Sequence, residues 1–323
     1  MISVVVPAFN AEQSLSRCLS SLRNQTAPVD EIVVVDDGST DGTADVARSF
    51  GVTVVQQGNR GPAAARNAGA QRATGDLLLY TDADCEPEAG WVEQMVLPFG
   101  DPGVAGVKGA YRTRQREVIA RLAQCEFEER YDRLARFSTI DFVDTYSAAF
   151  RLEAFRAVGG FDTAFPEANN EDVDLSYRLA RTGCALKFTR RAVVYHRHKD
   201  TWRGYFRLKV RRGYWRMMVY RLHPGKAIHD TYTPQNLKAQ VALLPPTVLL
   251  AIAGCALPRL WYASAACLAL FCISGLSFAR TTWNLDRRLL PWVLPFLVTR
   301  AAAFVAGVAS GFTGAMRFQG STR

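Results

Sequence analysis

The stretch Glu31-Ile32-Val33-Val34-Val35-Asp36-Asp37-Gly38-Ser39 passes from an unbroken apolar core straight into two carboxylates and a glycine turn. A solidly apolar strand suits a parallel sheet covered on both faces, where neither side of the strand meets water. The pattern repeats on either side, with short apolar runs at residues 2–6, 52–55 and 77–80. Between them, residues 11–25, 41–50 and 63–73 read as helices. The first has Leu15, Leu19 and Leu22 at helical spacing, and the second opens through a Ser/Thr/Asp-rich turn suited to an N-cap. Alternation of this kind predicts an α/β, Rossmann-like, mostly parallel sheet with helices on both faces. Ligands of such sheets bind beyond the carboxyl ends of the strands. The polar clusters at 7–10, 36–39 and 81–84 all fall there.

Beyond Lys108 the pattern loosens. Residues 117–137 form a charged helical stretch, 144–150 a strand or a loop entering the site, and 159–162 a turn. A helix is expected over 172–182, ended by Gly183, and a closing strand over 186–196.

The 323-residue chain carries a net charge of +9, unevenly spread: residues 1–198 are net acidic at −5, whereas 199–230 and 231–323 each carry +7. Positive charge set beside apolar runs indicates an anionic membrane face and argues against nucleic acid. Trp202, Tyr205, Phe206, Val210, Gly213, Met217 and Tyr220 recur at helical spacing beside Arg203, Arg207 and Arg211. That is the composition of an interfacial helix, although a solvated helix packed on the catalytic domain reads the same way. Two charge-free runs, 241–257 and 260–279, approach the ~20 residues needed to cross a bilayer and are read as a hairpin. A third, 289–312, is interrupted by Arg300 and weakened by Pro291 and Pro295, so it reads equally as a span or as a re-entrant segment. The expected organisation is therefore a catalytic domain at 1–198, basic amphipathic helices at 199–236 and a membrane-anchoring region of two to three helices at 237–323. The seven cysteines form no C-x-x-C pair, and the start of the chain lacks a basic signal region. From both features the large domain is expected on the cytoplasmic side of the cell membrane.

Thr81-Asp82-Ala83-Asp84 sets two carboxylates at i and i+2 on a turn after an apolar strand, an arrangement that offers oxygen ligands to Mg²⁺ or Mn²⁺. Asn170-Glu171-Asp172-Val173-Asp174 opens a helix, where acidic residues either complement the helix dipole or supply a general base. In Tyr195-His196-Arg197-His198 the two imidazoles would share one strand face, and one of them could complete a metal site.

Taken together, the stretches 4–10, 33–43, 61–69, Asp82-Ala83-Asp84 and 171–175 resemble the family 2 glycosyltransferases, which have a GT-A fold. The resemblance covers about residues 1–200 closely and the tail in outline. It implies that Pro7, Phe9 and Asn10 line a nucleoside pocket, that Asp37 bonds the base and that Asp36 supports the same turn. By the same resemblance Arg66 and Asn67 reach toward the base or diphosphate, Asp82 contacts ribose or the metal's waters, and Asp84 ligates the metal. Asp172 would be the base, with Glu171 beside it. The expected activity is an inverting, hexosyltransferase-like transfer from a nucleotide-diphosphate sugar, preferably a UDP-sugar, to a lipid-linked or cell-envelope glycan acceptor. The Q-x-x-R-W motif of the processive branch is missing. Arg212 and Trp215 in Arg211-Arg212-Gly213-Tyr214-Trp215-Arg216 are the nearest match and could touch a diphosphate or sugar. The alternatives are a nucleotidyltransferase, disfavoured because no glycine-rich phosphate loop lies near the N-terminus, and a degenerate transferase acting as a membrane scaffold.

Overall fold

A computed structural model describes residues 1–165, 170–228, 230–231 and 233–313. The described residues form two compact units, one within 1–114 and 133–197, the other within 115–132 and 198–313. Residues 115–132, N-terminal to the boundary expected at 198, thus group with the second unit.

The first unit alternates strand and helix as β1 (Ile2–Ala8), α1 (Glu12–Arg23), β2 (Glu31–Asp36), α2 (Thr43–Ser49), β3 (Thr53–Gln56), α3 (Pro62–Arg72) and β4 (Leu77–Tyr80). It continues through β5 (Glu86–Pro87), α4 (Trp91–Val96) and β6 (Val104–Arg112). After the long α5 (Val118–Leu134), part of which groups with the second unit, come β7 (Ala148–Arg151), α6 (Leu152–Ala157), α7 (Glu171–Arg181) and β8 (Ala185–Tyr195). The eight strands lie in the order β3-β2-β1-β4-β7-β6-β8-β5. Pairings among β1 to β4 and between β6 and β8 are parallel, whereas β7 runs antiparallel to both neighbours and β5 runs antiparallel to β8. The expected α/β sheet is present, and its second half is mixed.

Val4–Val6 and Val33–Val35 are fully buried, as runs covered on both faces must be. α3 approaches them closely at Gly69, where a Cβ would sit 2.3 Å from a methyl of Val5. The carboxyl ends of β1, β2 and β4 therefore open side by side, bringing together the loops that carry the polar clusters.

The second unit contains α8 (Trp202–Leu222), α9 (Gln235–Gly254), α10 (Leu260–Ser274), α11 (Leu276–Asp286) and α12 (Val293–Thr313). Its core gathers Ile119, Leu122, Tyr205, Phe271, Phe278, Phe296 and Leu297. Two stretches, Gln235–Gly254 and Leu276–Thr313, are long and apolar enough to cross a membrane. The run expected at 260–279 is divided at Gly275, leaving α10 with 15 residues. Arg300, which interrupts the third apolar run, is 1% exposed and donates to Gln240 Oε1 at 2.8 Å.

Candidate active site

The loops after β1, β2 and β3 are stitched together by the residues expected to form the nucleoside pocket. Asn10 has φ 49°; its N–H donates to Ser39 Oγ at 2.9 Å and its Oδ1 accepts from Thr40 N at 2.9 Å. Asp36 accepts from Ser39 N and Gln56 Nε2, each at 3.0 Å. Asp37 accepts from Gln57 Nε2 at 2.7 Å, Arg60 N at 2.9 Å and Gly61 N at 2.8 Å. Both carboxylates are thus buried anchors of their loops, and Pro7 sits in β1 on the same edge. Phe9, by contrast, is exposed.

The acidic turn follows β4 and is closed by Cys85 N donating to Asp82 O at 2.9 Å. Its two aspartates diverge. Asp84 Oδ2 lies 2.8 Å from His196 Nε2, just past the end of β8, and the Asp84 side chain is 56% exposed. Asp82 Oδ1 instead accepts from Arg66 Nη2 at 3.0 Å. Asp84, Cys85 and His196 bring potential ligand atoms within 4.8 Å of one another. Burial pushes the Cys85 thiol well above its ordinary range, with Asp82 and Asp84 adding to the effect. A carboxylate, an imidazole and an open side fit a divalent ion. His198 does not share the face of His196, because β8 ends at Tyr195 and strand alternation stops there. It groups with the second unit, where its Nε2 meets Gln124 Oε1 at 3.0 Å and its ring stacks on Phe127.

Arg66 joins the two acidic clusters. From α3 it reaches Asp82 with one nitrogen and Glu171 Oε1 with the other at 2.7 Å, and it is 3% exposed. Burial opposes its charge, but Asp82 and Glu171 outweigh burial and raise its pKa. Its guanidinium therefore faces carboxylates, where the family resemblance implied a base or diphosphate. Asn67 differs in the same way: both ends of its amide bond the backbone of Phe161, at 2.8 and 2.9 Å. Phe161 follows Gly160, where φ is +70° and a Cβ would lie 2.7 Å from Asn67 Oδ1. From α7, Arg178 binds Asp174 Oδ2 at 2.8 Å, Val158 O at 2.5 Å and Gly160 O at 2.7 Å. One turn is thereby clamped by side chains from both α3 and α7.

At that start Glu171 and Asp172 part company. Glu171 is 2% exposed; burial and neighbouring Asp172 push it up to about 7, while Arg66 pulls the other way. Asp172 is half-buried and accepts from Val173 N at 2.8 Å. Arg212 and Trp215 lie on α8 in the second unit.

Residues 3–159 match the family described as glycosyl transferase family 2, and the site combines that family's acidic turn with a second acidic cluster one arginine away. Over those residues, just under half of the chain, it is similar to glycosyltransferase family 2. Among its relatives, the pre-mycofactocin glycosyltransferase of Mycobacterium tuberculosis is 31% identical over 65% of this chain and 45% of its own length. The validoxylamine A glucosyltransferase of Streptomyces hygroscopicus subsp. limoneus is 31% identical over 59% of this chain and 50% of its own. The chain thus spans about half the length of these curated relatives. In fold it is similar to the mannosyltransferase of Pyrobaculum calidifontis solved with GDP-Man and Mn²⁺. The TM-score is 0.63 at 24% identity, over 98% of this chain and 88% of that one. It is also similar to the M. tuberculosis glucosyl-3-phosphoglycerate synthase solved with Mn²⁺, UDP and glucosyl-3-phosphoglycerate. There the TM-score is 0.51 at 22% identity, over 68% and 79% of the two chains. These likenesses establish the GT-A fold.

Proposed function

We propose that the chain transfers a sugar from a nucleotide-diphosphate donor to an acceptor hydroxyl at a membrane surface, in one metal-dependent displacement that inverts the anomeric carbon. The observation that carries the proposal is the Arg66 bridge, because it holds the acidic turn and the start of α7 in one site. Asp84 and His196 would hold a divalent ion, with Asp82 at its waters, and that ion would neutralise the departing diphosphate. Asp172, half-buried where Glu171 is closed off, takes the proton of the acceptor hydroxyl as its oxygen attacks. The bond from the anomeric carbon to the diphosphate breaks, and its electron pair leaves with the diphosphate. Phe9 offers a surface for the base, while Asp36, Asp37 and Asn10 hold the loops that frame it. Relatives with solved structures bind GDP-Man in one case and UDP in another, so our preference for a UDP-sugar rests on the sequence resemblance. The exposed apolar residues of α9 and α10, including Leu249, Ile252, Trp261 and Leu268, suit a bilayer. They support an acceptor held at the membrane, lipid-linked or part of the cell envelope; the cytoplasmic placement of the catalytic unit rests on the sequence reading alone.

The test is thermal stabilisation of the purified full chain by UDP and GDP with and without Mn²⁺, followed by NMR of the product's anomeric configuration. Stabilisation that needs Mn²⁺, and an inverted product, are expected. No shift with any nucleotide would overturn the donor assignment, and a retained configuration would overturn the single displacement.

A further inference from the structure

His196 is held from two sides. Its Nε2 faces Asp84 at 2.8 Å, while its Nδ1 meets the hydroxyl of Tyr111. Tyr111 belongs to β6, and its placement follows from an irregularity of pairing. The register jumps from Lys108 opposite Phe188 to Ala110 opposite Val193, and such an interruption re-aims the side chains beyond it. Gly109 lies at the jump, where a Cβ would come within 2.5 Å of the Ala192 carbonyl oxygen. Past it, Tyr111 pairs with Val194, and His196 N donates to Arg112 O at 3.0 Å, so both partners leave the sheet side by side.

The Tyr111 ring is 6% exposed and lies between two others, with centroids 4.5 Å from Tyr146 and 4.9 Å from His196. Tyr146 is fastened in turn, since its hydroxyl accepts from Lys108 Nζ at 3.1 Å and the fully buried Lys108 is paired with Asp144. None of these residues belongs to the motifs that mark the family. Together they form a packed strut ending on the far nitrogen of a candidate metal ligand.

We propose that Tyr111 is a positioning residue for metal binding, its hydroxyl serving both tautomers of His196. With Nε2–H donating to Asp84, the tyrosine hydroxyl donates to Nδ1. When Nε2 is needed as a lone-pair ligand the proton resides on Nδ1 and the tyrosine oxygen accepts it. A hydroxyl can do both, whereas a backbone carbonyl or a carboxylate can only accept. Partners on the far nitrogen of a ligating histidine typically contribute about 10–100-fold in metal affinity. The inference rests on the proposed metal-dependent reading, and one experiment separates the two.

Mn²⁺ is titrated into the full chain without nucleotide, by calorimetry or by the EPR signal of free Mn²⁺, for wild type, Tyr111→Phe and His196→Ala. Tyr111→Phe keeps the ring and removes only the hydroxyl. It should bind Mn²⁺ about 10–100-fold more weakly with its melting temperature little changed. In the metal-free protein, ¹⁵N spectra of labelled histidine should show His196 as the Nε2–H tautomer in wild type and a mixture in the variant. If wild type binds Mn²⁺ and Tyr111→Phe binds it equally well, the positioning role is overturned and the metal site stands. If wild type binds none, the metal reading fails first.

Discussion

Arg66 and Glu171, 105 residues apart in sequence, meet at 2.7 Å with both side chains almost wholly out of water. The same guanidinium holds Asp82, so one buried cation serves two carboxylates from opposite ends of the catalytic unit. Breaking a buried pair by deleting one partner costs about 3–5 kcal/mol, because the other group is left uncompensated. Arg66→Met should therefore destabilise the first unit by that order. Combining it with Glu171→Gln should restore part of the loss, as expected of groups in contact. Denaturant unfolding of the two single variants and the double variant checks this, and strict additivity would contradict the pairing.

Glu171 also predicts a pH dependence. Its pKa is raised by burial and by Asp172 from 4.5 to about 7, so the folded chain holds this proton more tightly than the unfolded chain does. The corresponding stability is fully present below pH 4.5 and is lost as pH rises through the raised pKa of Glu171. Above 7 the contribution is flat. Glu171→Gln cannot titrate and should flatten this slope; melting curves of the variant and wild type between pH 5 and 8 make the comparison.

The two acidic neighbours on α7 should separate in kinetics. Asp172→Asn removes the proposed base and should lower kcat by about 10²–10⁴-fold, with Mn²⁺-dependent nucleotide stabilisation retained because the donor side is untouched. Transfer assays paired with melting shifts test both halves. Unchanged turnover would show that another group takes the proton.

Much of the first unit was legible because its strands announce themselves. Val4–Val6 and Val33–Val35 are continuous apolar runs, and the cluster after each is polar. β6 was not legible, since Gly106, Lys108 and Gly109 interrupt its pattern and Lys108 is a charge buried by a partner, Asp144, far along the chain. The acidic turn and the start of α7 could be picked out one at a time. Their junction could not, because the motif that contains Arg66 does not say which way the guanidinium points. Nothing local marks Tyr111, whose position depends on a register jump against β8. The pairing expected of His196 and His198 fails because it carries strand alternation to His198, three residues past the strand's end.

The proposed metal ligands give a metal-specific prediction. Asp84→Asn and His196→Ala should each abolish the Mn²⁺-dependent part of nucleotide stabilisation, and EDTA should do the same to wild type. Asp84 is mostly solvent-exposed, so fold stability should move by no more than about 1 kcal/mol. Nucleotide titrations monitored by melting temperature distinguish loss of metal from loss of fold, and full Mn²⁺-dependent stabilisation of His196→Ala would remove the histidine from the site.

Arg300 poses the reverse problem, a fully buried cation inside a stretch long and apolar enough to cross a membrane. It donates to Gln240 of α9 at 2.8 Å, and its guanidinium lies 5.4 Å from the ring centre of Phe278. Truncating Gln240 alone leaves the cation without that acceptor. Gln240→Leu should therefore cost about 1–3 kcal/mol, the usual penalty for an unsatisfied buried group. Replacing both by leucine removes donor and acceptor together, so Gln240→Leu with Arg300→Leu should be less damaging than Gln240→Leu alone. Burial of Arg300 for packing alone would instead make the double variant the worse of the two. Thermal unfolding of the detergent-solubilised chain, read by the accessibility of the buried Cys125, discriminates between these outcomes.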